Sequence, residues 1–305
     1  MESVGSVIAQ TSPQWELIVV DDGSQVPVTL DLIDQHQFAS KIKIIRHPQA
    51  QGLSSARNSG VAAASGNYVT FLDDDDYLSN EAIGIISRAL NQLNEPECLF
   101  LKIEPFGPLA AGTKENQETA LDKVLQDINI AKESRQSLIP DNRALFVALL
   151  KRLPMTFQRP VVRKDAFQEK TGGYEGRSFG DLEWNYRATL RCQCGILLEP
   201  VYQVRCQGQS YFSKSDAKAA MLDTIIKIRK NLLLLPEVQS NASLTREVKK
   251  ALSLAYFEKS YHAYSENLPF PWKDFWRASS GGIRWSHFSL LTKTLKKYIL
   301  TREIR

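Results

Sequence analysis

Apolar positions along the first two thirds of the chain recur in two rhythms. Near-continuous runs of β-forming residues (Trp15–Val20, Ile42–Ile45, Tyr68–Leu72, Cys98–Ile103) predict strands buried on both faces. Between them the apolar positions recur every three or four residues, which predicts helices over Ser3–Gln10, Leu30–Phe38 and Ser54–Ala64, and one carrying Ile83, Ile86, Leu90 and Leu93. Ser54 and Asn80 read as N-caps and Ser65-Gly66-Asn67 as a helix stop. Strands alternating with helices imply a mostly parallel sheet with helices on both faces. The pattern weakens from Glu104 to Asp141, read as a loop plus helix over the mouth of a cleft. It then predicts a helix at Ala144–Leu153, a strand at Arg159–Arg163, a short helix at Lys164–Lys170, a turn at Thr171–Tyr174 and a helix at Phe179–Leu190. Asp181 falls in that helix's first turn, where the helix dipole favours an anion. Helices at Lys214–Leu235 and Leu244–Tyr264 and another near Leu290–Leu300 complete the chain.

The composition, 43% hydrophobic and 24% charged over 305 residues, is that of a globular protein. It fits an α/β domain over 1–212 with a helical C-terminal extension over 213–305. A net charge of +4 gives no field for nucleic acid. Four cysteines in a chain this long suit free buried thiols in a reducing, cytoplasmic setting better than zinc or a disulfide framework. No apolar run approaches the roughly 18 residues of a spanning helix. From Pro271 the tail carries eight Lys/Arg against two acids, with Trp272, Phe275, Trp276, Trp285 and Phe288. It can make a peripheral contact with an anionic membrane face or pack on its own domain, and both readings stay open.

The chemistry-bearing stretch is Tyr68 to Leu78, where an apolar strand runs into four consecutive carboxylates, Asp73 to Asp76. Four adjacent acids either face water or gather around a hard divalent cation. A second acidic strand end, Asp21-Asp22-Gly23-Ser24, favours the cation reading. Open α/β sheets bind ligands at the carboxyl ends of their strands. With Arg57 on the intervening helix, one crevice receives an acid to accept hydrogen bonds from a base or ribose. It also receives Asp73 and Asp75 to hold a metal that neutralises a diphosphate.

Four segments, Ser6 to Thr11, Trp15 to Ser24, Gly52 to Asn58 and Gly66 to Leu78, are similar in order and spacing to the inverting glycosyltransferases of family 2, which have the GT-A (Rossmann-like) fold. The resemblance extends through Gly172-Gly173-Tyr174 and Gly180-Asp181-Leu182-Glu183-Trp184, over about the first 210 residues. It implies a nucleotide-sugar donor, such as a UDP-sugar, and a glycan or lipid-linked acceptor in polysaccharide assembly. It further implies Asp22 at the base, Arg57 near base and diphosphate, and Asp74 close to the ribose. Asp73 and Asp75 would be the metal pair for Mn²⁺ or Mg²⁺, and Asp181 the general base. Three departures stand against the pattern. The family's first apolar strand is missing ahead of Ser3, which implies a gap or unpaired edges in the sheet and a misplaced start or truncated gene. The acid that usually precedes the base is Gly180. Cys206 stands where a metal-contacting His is often found.

Each assignment has a plainer rival. Asp22 could cap its own turn, Arg57 could be a surface ion-pair partner, and Asp76 a helix-entry residue. Asp181 could be an ordinary first-turn acid with Glu183 as its substitute, and Trp184 a core residue. A phosphatase of the haloacid type also places Asp-x-Asp after a strand, but it leaves Asp21-Asp22 unused. The non-enzymatic alternative is a truncated, noncatalytic relative that binds nucleotide or a partner.

Overall fold

The computed structural model describes residues 2–33, 36–130, 136–176, 180–207, 215–279 and 289–294. The chain divides into two compact units, one to residue 208 and one from residue 209.

The first unit opens with α1 (Glu2–Ile8), β1 (Leu17–Asp21), α2 (Leu30–Ile33), a 3₁₀ turn and β2 (Ile42–Arg46). Next come α3 (Leu53–Ala63), β3 (Tyr68–Thr70), β4 (Tyr77–Leu78), α4 (Ala82–Gln92) and β5 (Cys98–Phe106). α5 (Ala110–Asp127), β6 (Ser137–Leu138), α6 (Asn142–Lys151), β7 (Pro160–Arg163), α7 (Gly180–Arg191) and β8 (Cys194–Arg205) complete it. This is the expected α/β architecture, but the described strands fall into two ladders. β1 and β2 pair in parallel as a two-stranded sheet, and the remaining strands run in the order β3-β7-β5-β8-β4 with β6 also on β8. In that larger sheet only β5–β8 is parallel, while β7 runs against both β3 and β5, and β4 and β6 run against β8. The sheet is therefore mixed rather than mostly parallel. Apolar periodicity fixes which face a strand buries and carries no information about its direction.

β8 has no counterpart in the sequence reading, because Glu199-Pro200 interrupts its apolar pattern. The ladder absorbs that interruption. Leu101 of β5 pairs with Leu197 and Ile103 with Tyr202, so four residues of β8 bulge opposite one of β5. The freed Val201 carbonyl accepts from the Ser79 N–H at 3.0 Å. The core forms where the apolar stripe of α4 (Ile85, Ile86, Ala89, Leu90) covers Leu99, Leu101 and Ile103 of β5 and Leu197, Val201 and Val204 of β8. β1 is less enclosed than its apolar run suggested, with Leu17 to Val20 only half-buried. Cys98, Cys192 and Cys194 are buried free thiols.

The helix ends of the site are set by residues distant in sequence. Gly52, not Ser54, is the N-cap of α3, and its φ of 96° favours glycine. Its N–H and that of Gln51 donate to Asp22 at 2.7 and 3.0 Å. After α3, Glu16 accepts from the N–H groups of Ser65 and Gly66, both at 2.6 Å. Asn80 does not cap α4. Gln10 takes that role, accepting from Ile83 N–H at 3.0 Å while donating to Ser79 O at 2.6 Å.

The second unit is helical, with α8 (Ser215–Leu232), α9 (Pro236–Gln239), α10 (Ala242–Ser265) and α11 (Trp272–Ser279). Ile226, Tyr256, Ala255 and Ala278 form one core and Phe270, Phe275 and Leu290 another. Lys259 pairs with Asp223 at 2.7 Å and Asp274 at 2.9 Å, tying α8, α10 and α11 together. No helix is long and apolar enough to cross a membrane among the described residues. Trp285, Phe288 and the part of the expected tail helix beyond residue 294 lie outside them.

Gly180 has a steric reason to be glycine. A Cβ there would collide with Ser54 Oγ and stand 2.6 Å from the Glu175 carbonyl oxygen. An acid at this position does not fit against α3. Gly180→Ala is expected to cost about 1–3 kcal/mol, in line with overpacking elsewhere, read as a lowered denaturant midpoint; an unchanged midpoint would show that α7 is free to move away from α3.

Candidate active site

The parallel register of β1 and β2 sets Asp21 opposite Arg46, so Asp22 and His47 leave the ladder at the same height. Asp21 points inward. It accepts from the N–H of Ser24 at 2.8 Å and of Val28 at 3.1 Å and from the Arg46 guanidinium. The Ser24 N–H above all, with those partners, holds its carboxyl below the usual range against the cost of burial. Asp21 thus builds the turn and leaves Asp22 as the accessible acid, its side chain 24% exposed. Burial works to raise the Asp22 pKa, but the N–H groups of Gln51 and Gly52 and the His47 ring outweigh it, so the carboxyl stays below its ordinary value.

The second strand end is organised around Asp73. β3 leads into it, and its N–H donates to Tyr202 Oη at 3.0 Å. Arg57 of α3 donates to Asp73 Oδ1 at 2.8 Å, and Arg159, the residue before β7, donates to Oδ2 at 3.0 Å. Both arginines are buried, Arg57 against the rings of Phe71 and Tyr174 and Arg159 over Tyr202. Burial pushes the Asp73 pKa up, and the two cations more than reverse it, so the group lies below its usual value. Both oxygens of Asp73, the expected metal ligand, are therefore not free but taken by arginine N–H groups, while its side chain is 26% exposed. Asp76 is not a helix-entry residue either. It accepts from Arg205 N–H at 2.9 Å and Arg159 Nη2 at 3.3 Å, and burial, with the charges of Asp73 and Asp75, raises its pKa. Asp74 and Asp75 are exposed, and the Asp75 backbone is fixed by Arg205 Nε on its carbonyl at 2.7 Å.

Asp181 reaches the same cluster from α7. It is half-buried, accepts from its neighbour Leu182 N–H at 2.9 Å, and its charge favours the cationic forms of both Arg57 and Arg159. Glu183, the substitute base, is instead bound by Arg187 at 2.7 Å. Arg187 also holds the carbonyl oxygens of Thr171 and Gly173. Trp184 is fully buried with Nε1 on Thr171 Oγ1 at 2.8 Å, a core residue. The turn before α7 needs Gly172 and Gly173, at φ 76° and 73°, to bring Tyr174 onto Arg57. Asn58 clips it there, pairing with both the N–H and the carbonyl of Tyr174 at 2.9 Å.

Arg57, Asp73 and Asp181 thus converge, with Asp74 and Asp75 on the open side of the same loop. Asp22 lies at the other end of the first turns of α3. Arg159, Tyr202, Arg205 and His47 escaped the sequence reading. Arg159 had a signal in its position at the start of a predicted strand, and His47 in following β2 as Asp22 follows β1. A pocket of about 500 Å³ lined by Gln51, Ser54, Ser55, Asn58, Ser59 and Tyr174 runs beside α3.

For a divalent cation, the acids with open oxygens are Asp74 and Asp75. No group of three or more His, Cys, Asp or Glu converges among the described residues. This donor set fits an ion shared with a substrate's phosphates, the usual arrangement for Mg²⁺, rather than an all-protein cage.

Residues 2–97 match the family described as glycosyl transferase family 2. This segment belongs to that family. The family 2 segment is 38% identical over 89 residues to the Escherichia coli UDP-Glc:alpha-D-GlcNAc-diphosphoundecaprenol beta-1,3-glucosyltransferase WfgD, covering 29% of this chain and 34% of that protein. It is 36% identical over 103 residues to the uncharacterized glycosyltransferase EpsJ of Bacillus subtilis, covering 33% and 30%. The chain thus aligns with about a third of the length of each relative. Among solved structures, S. aureus TarS 1-349 in complex with UDP-GlcNAc aligns with 87% of this chain and 68% of that one at a TM-score of 0.55 and 16% identity. That likeness establishes the GT-A fold.

Replacing one cation tests the cluster. Arg159→Leu leaves the partly buried Asp73 and the buried Asp76 undercompensated and is expected to destabilise by about 3 kcal/mol at neutral pH, measured by denaturant unfolding. The lost stabilisation belongs to ionised Asp73, whose folded pKa is lowered. The deficit should therefore be complete above the unfolded carboxylate value of about 3.9 and shrink as pH falls through the folded value. A small, pH-independent deficit would contradict the pairing.

Proposed function

We propose that the chain carries the donor-binding and catalytic face of an inverting, metal-assisted glycosyltransferase that moves a sugar from a nucleoside diphosphate, with a UDP-sugar as the leading donor, to a hydroxyl of a glycan or lipid-linked acceptor. The observation that carries this reading is the meeting of Asp181 with the Arg57–Asp73–Arg159 cluster at the end of the acidic strand, within a fold whose N-terminal segment belongs to family 2.

In this reading Asp22, accessible and ionised, accepts a hydrogen bond from the base. Arg57, over the rings of Phe71 and Tyr174, stands toward the diphosphate, and Asp74 toward the ribose. Asp73 serves as the anchor of the loop. It presents Asp75, with Asp74 beside it, as the acid that would hold Mn²⁺ or Mg²⁺. Such a cation, when bound, supplies charge neutralisation for the departing diphosphate. Asp181 takes the proton as the acceptor O–H breaks. The new oxygen–carbon bond forms on the face opposite the diphosphate, which leaves with the electron pair of the old one. The family 2 relatives, one of them named for a UDP-Glc donor and a diphosphoundecaprenol-linked acceptor, support the substrate classes. The tail residues that would carry a membrane contact lie largely outside the described residues.

Asp181→Asn is expected to reduce transfer or hydrolysis of a UDP-sugar by about 10²–10⁴-fold, the range for a lost general base, with the Kd for UDP in Mn²⁺ nearly unchanged. Turnover at the wild-type rate would remove Asp181 from its role. UDP binding with no turnover in the unsubstituted chain would favour the noncatalytic relative.

A further inference from the structure

Three side chains from three elements make one continuous hydrogen-bonded chain at the end of β1. His47 Nδ1 lies 2.6 Å from Asp22 Oδ1, and His47 Nε2 lies 2.9 Å from Ser59 Oγ on α3. Asp22 is held ionised and has no proton to give, so Nδ1 carries the shared proton and donates it. In the neutral ring, Nε2 then accepts from the Ser59 hydroxyl. The backbone of His47 is fixed as well, its N–H donating to Asp21 O at 2.9 Å. The residue is thus held at both ring nitrogens and at its main chain, and the Asp22 carboxylate is held also by the N–H of Gln51, shared between its two oxygens, and by the N–H of Gly52 on Oδ2.

The order Asp–His–Ser is that of a hydrolytic triad, but Ser59 cannot serve as such a nucleophile. It is the seventh residue of α3, where backbone N–H groups are committed to the helix and none is left to stabilise an oxyanion. Exposure points to a different use. The His47 side chain is 9% exposed and that of Asp22 24%, so a ligand can reach the acid without reaching the ring.

We propose that His47, braced by Ser59, is a positioning residue that aims the Asp22 carboxylate at a ring N–H of the donor's base, and so makes the site selective for uracil over cytosine. This rests on the function proposed above. A fixed carboxylate accepts from the N3–H of uracil. Cytosine presents a lone pair at that position, and a site built to receive a hydrogen bond rejects a partner lacking the donor. Without the His47 contact the acid keeps only its Gln51 and Gly52 N–H bonds, its aim loosens, and the discrimination falls.

The test is the ratio of the Kd values for CDP and UDP, measured calorimetrically in Mn²⁺ on the full chain. His47→Gln removes the donor at the Nδ1 position and is expected to weaken UDP about tenfold. CDP should change little, so the ratio collapses. His47→Asn places an amide N–H where Nδ1 stood and should restore most of the ratio, and Ser59→Ala should lower it by a smaller factor. A thermal scan on each variant separates folding from aim, because a merely structural role weakens both nucleotides in parallel. Parallel weakening, or a wild-type ratio in His47→Gln, overturns the inference. A wild-type chain that binds UDP and CDP equally overturns it too, while one that binds neither overturns the proposed function with it.

Discussion

The N-terminal unit depends on one partly buried carboxylate shared between two buried guanidinium groups. A carboxylate cannot leave water without compensation, and Asp73 meets that requirement with Arg57 from α3 and Arg159 from the start of β7, while its N–H is taken by Tyr202 of β8. A helix, a loop and two strands are thereby brought to one point, Tyr202 lying 129 residues beyond Asp73. Asp76 closes the cluster through Arg159 and Arg205. Replacing such a cluster by apolar side chains need cost little stability. What it fixes is geometry, because the loop from Asp73 to Asp76 is tied at both ends while Asp74 and Asp75 between them stay open to solvent.

The consequence for chemistry is a division of labour among the acids that composition alone does not suggest. Asp21 and Asp73 are tied down by N–H and arginine partners and build the two strand ends. Asp22 and Asp75 are what those ends present. Asp181 arrives from α7, whose position depends on Gly180 having no side chain against α3 and on Asn58 clipping the Gly172-Gly173-Tyr174 turn. Glu183, two residues on, is spent on Arg187 and through it on the same turn. The helix therefore commits one of its two first-turn acids to structure and leaves the other facing the cluster.

Much of this was legible in the sequence, and what was not has a common cause. The near-continuous apolar runs located β1, β2 and β5, and the strong stripe of α4 located the helix that covers the sheet. Arg57 beside the acidic strand end at Asp73 followed from spacing. Reading failed where an interaction spans the chain. Local caps were sought at Ser54 and Asn80, whereas Asp22 and Gln10 supply them from 30 and 73 residues away. Arg159 looked like one more charge beside a strand, because nothing local tells that its partner is Asp73, 86 residues earlier. β8 was hidden by a bulge at Glu199-Pro200 that only its partner β5 explains.

The central claim is that acids from separate strand ends and from α7 frame one crevice for a nucleoside diphosphate. A crystal structure of the chain with UDP and Mn²⁺ tests this most directly. The account predicts uracil on Asp22, the diphosphate between Arg57 and Asp75, and Asp181 across an open space from the β-phosphate. Nucleotide bound on another face, or a diphosphate that leaves Arg57 and Asp75 untouched, would contradict it.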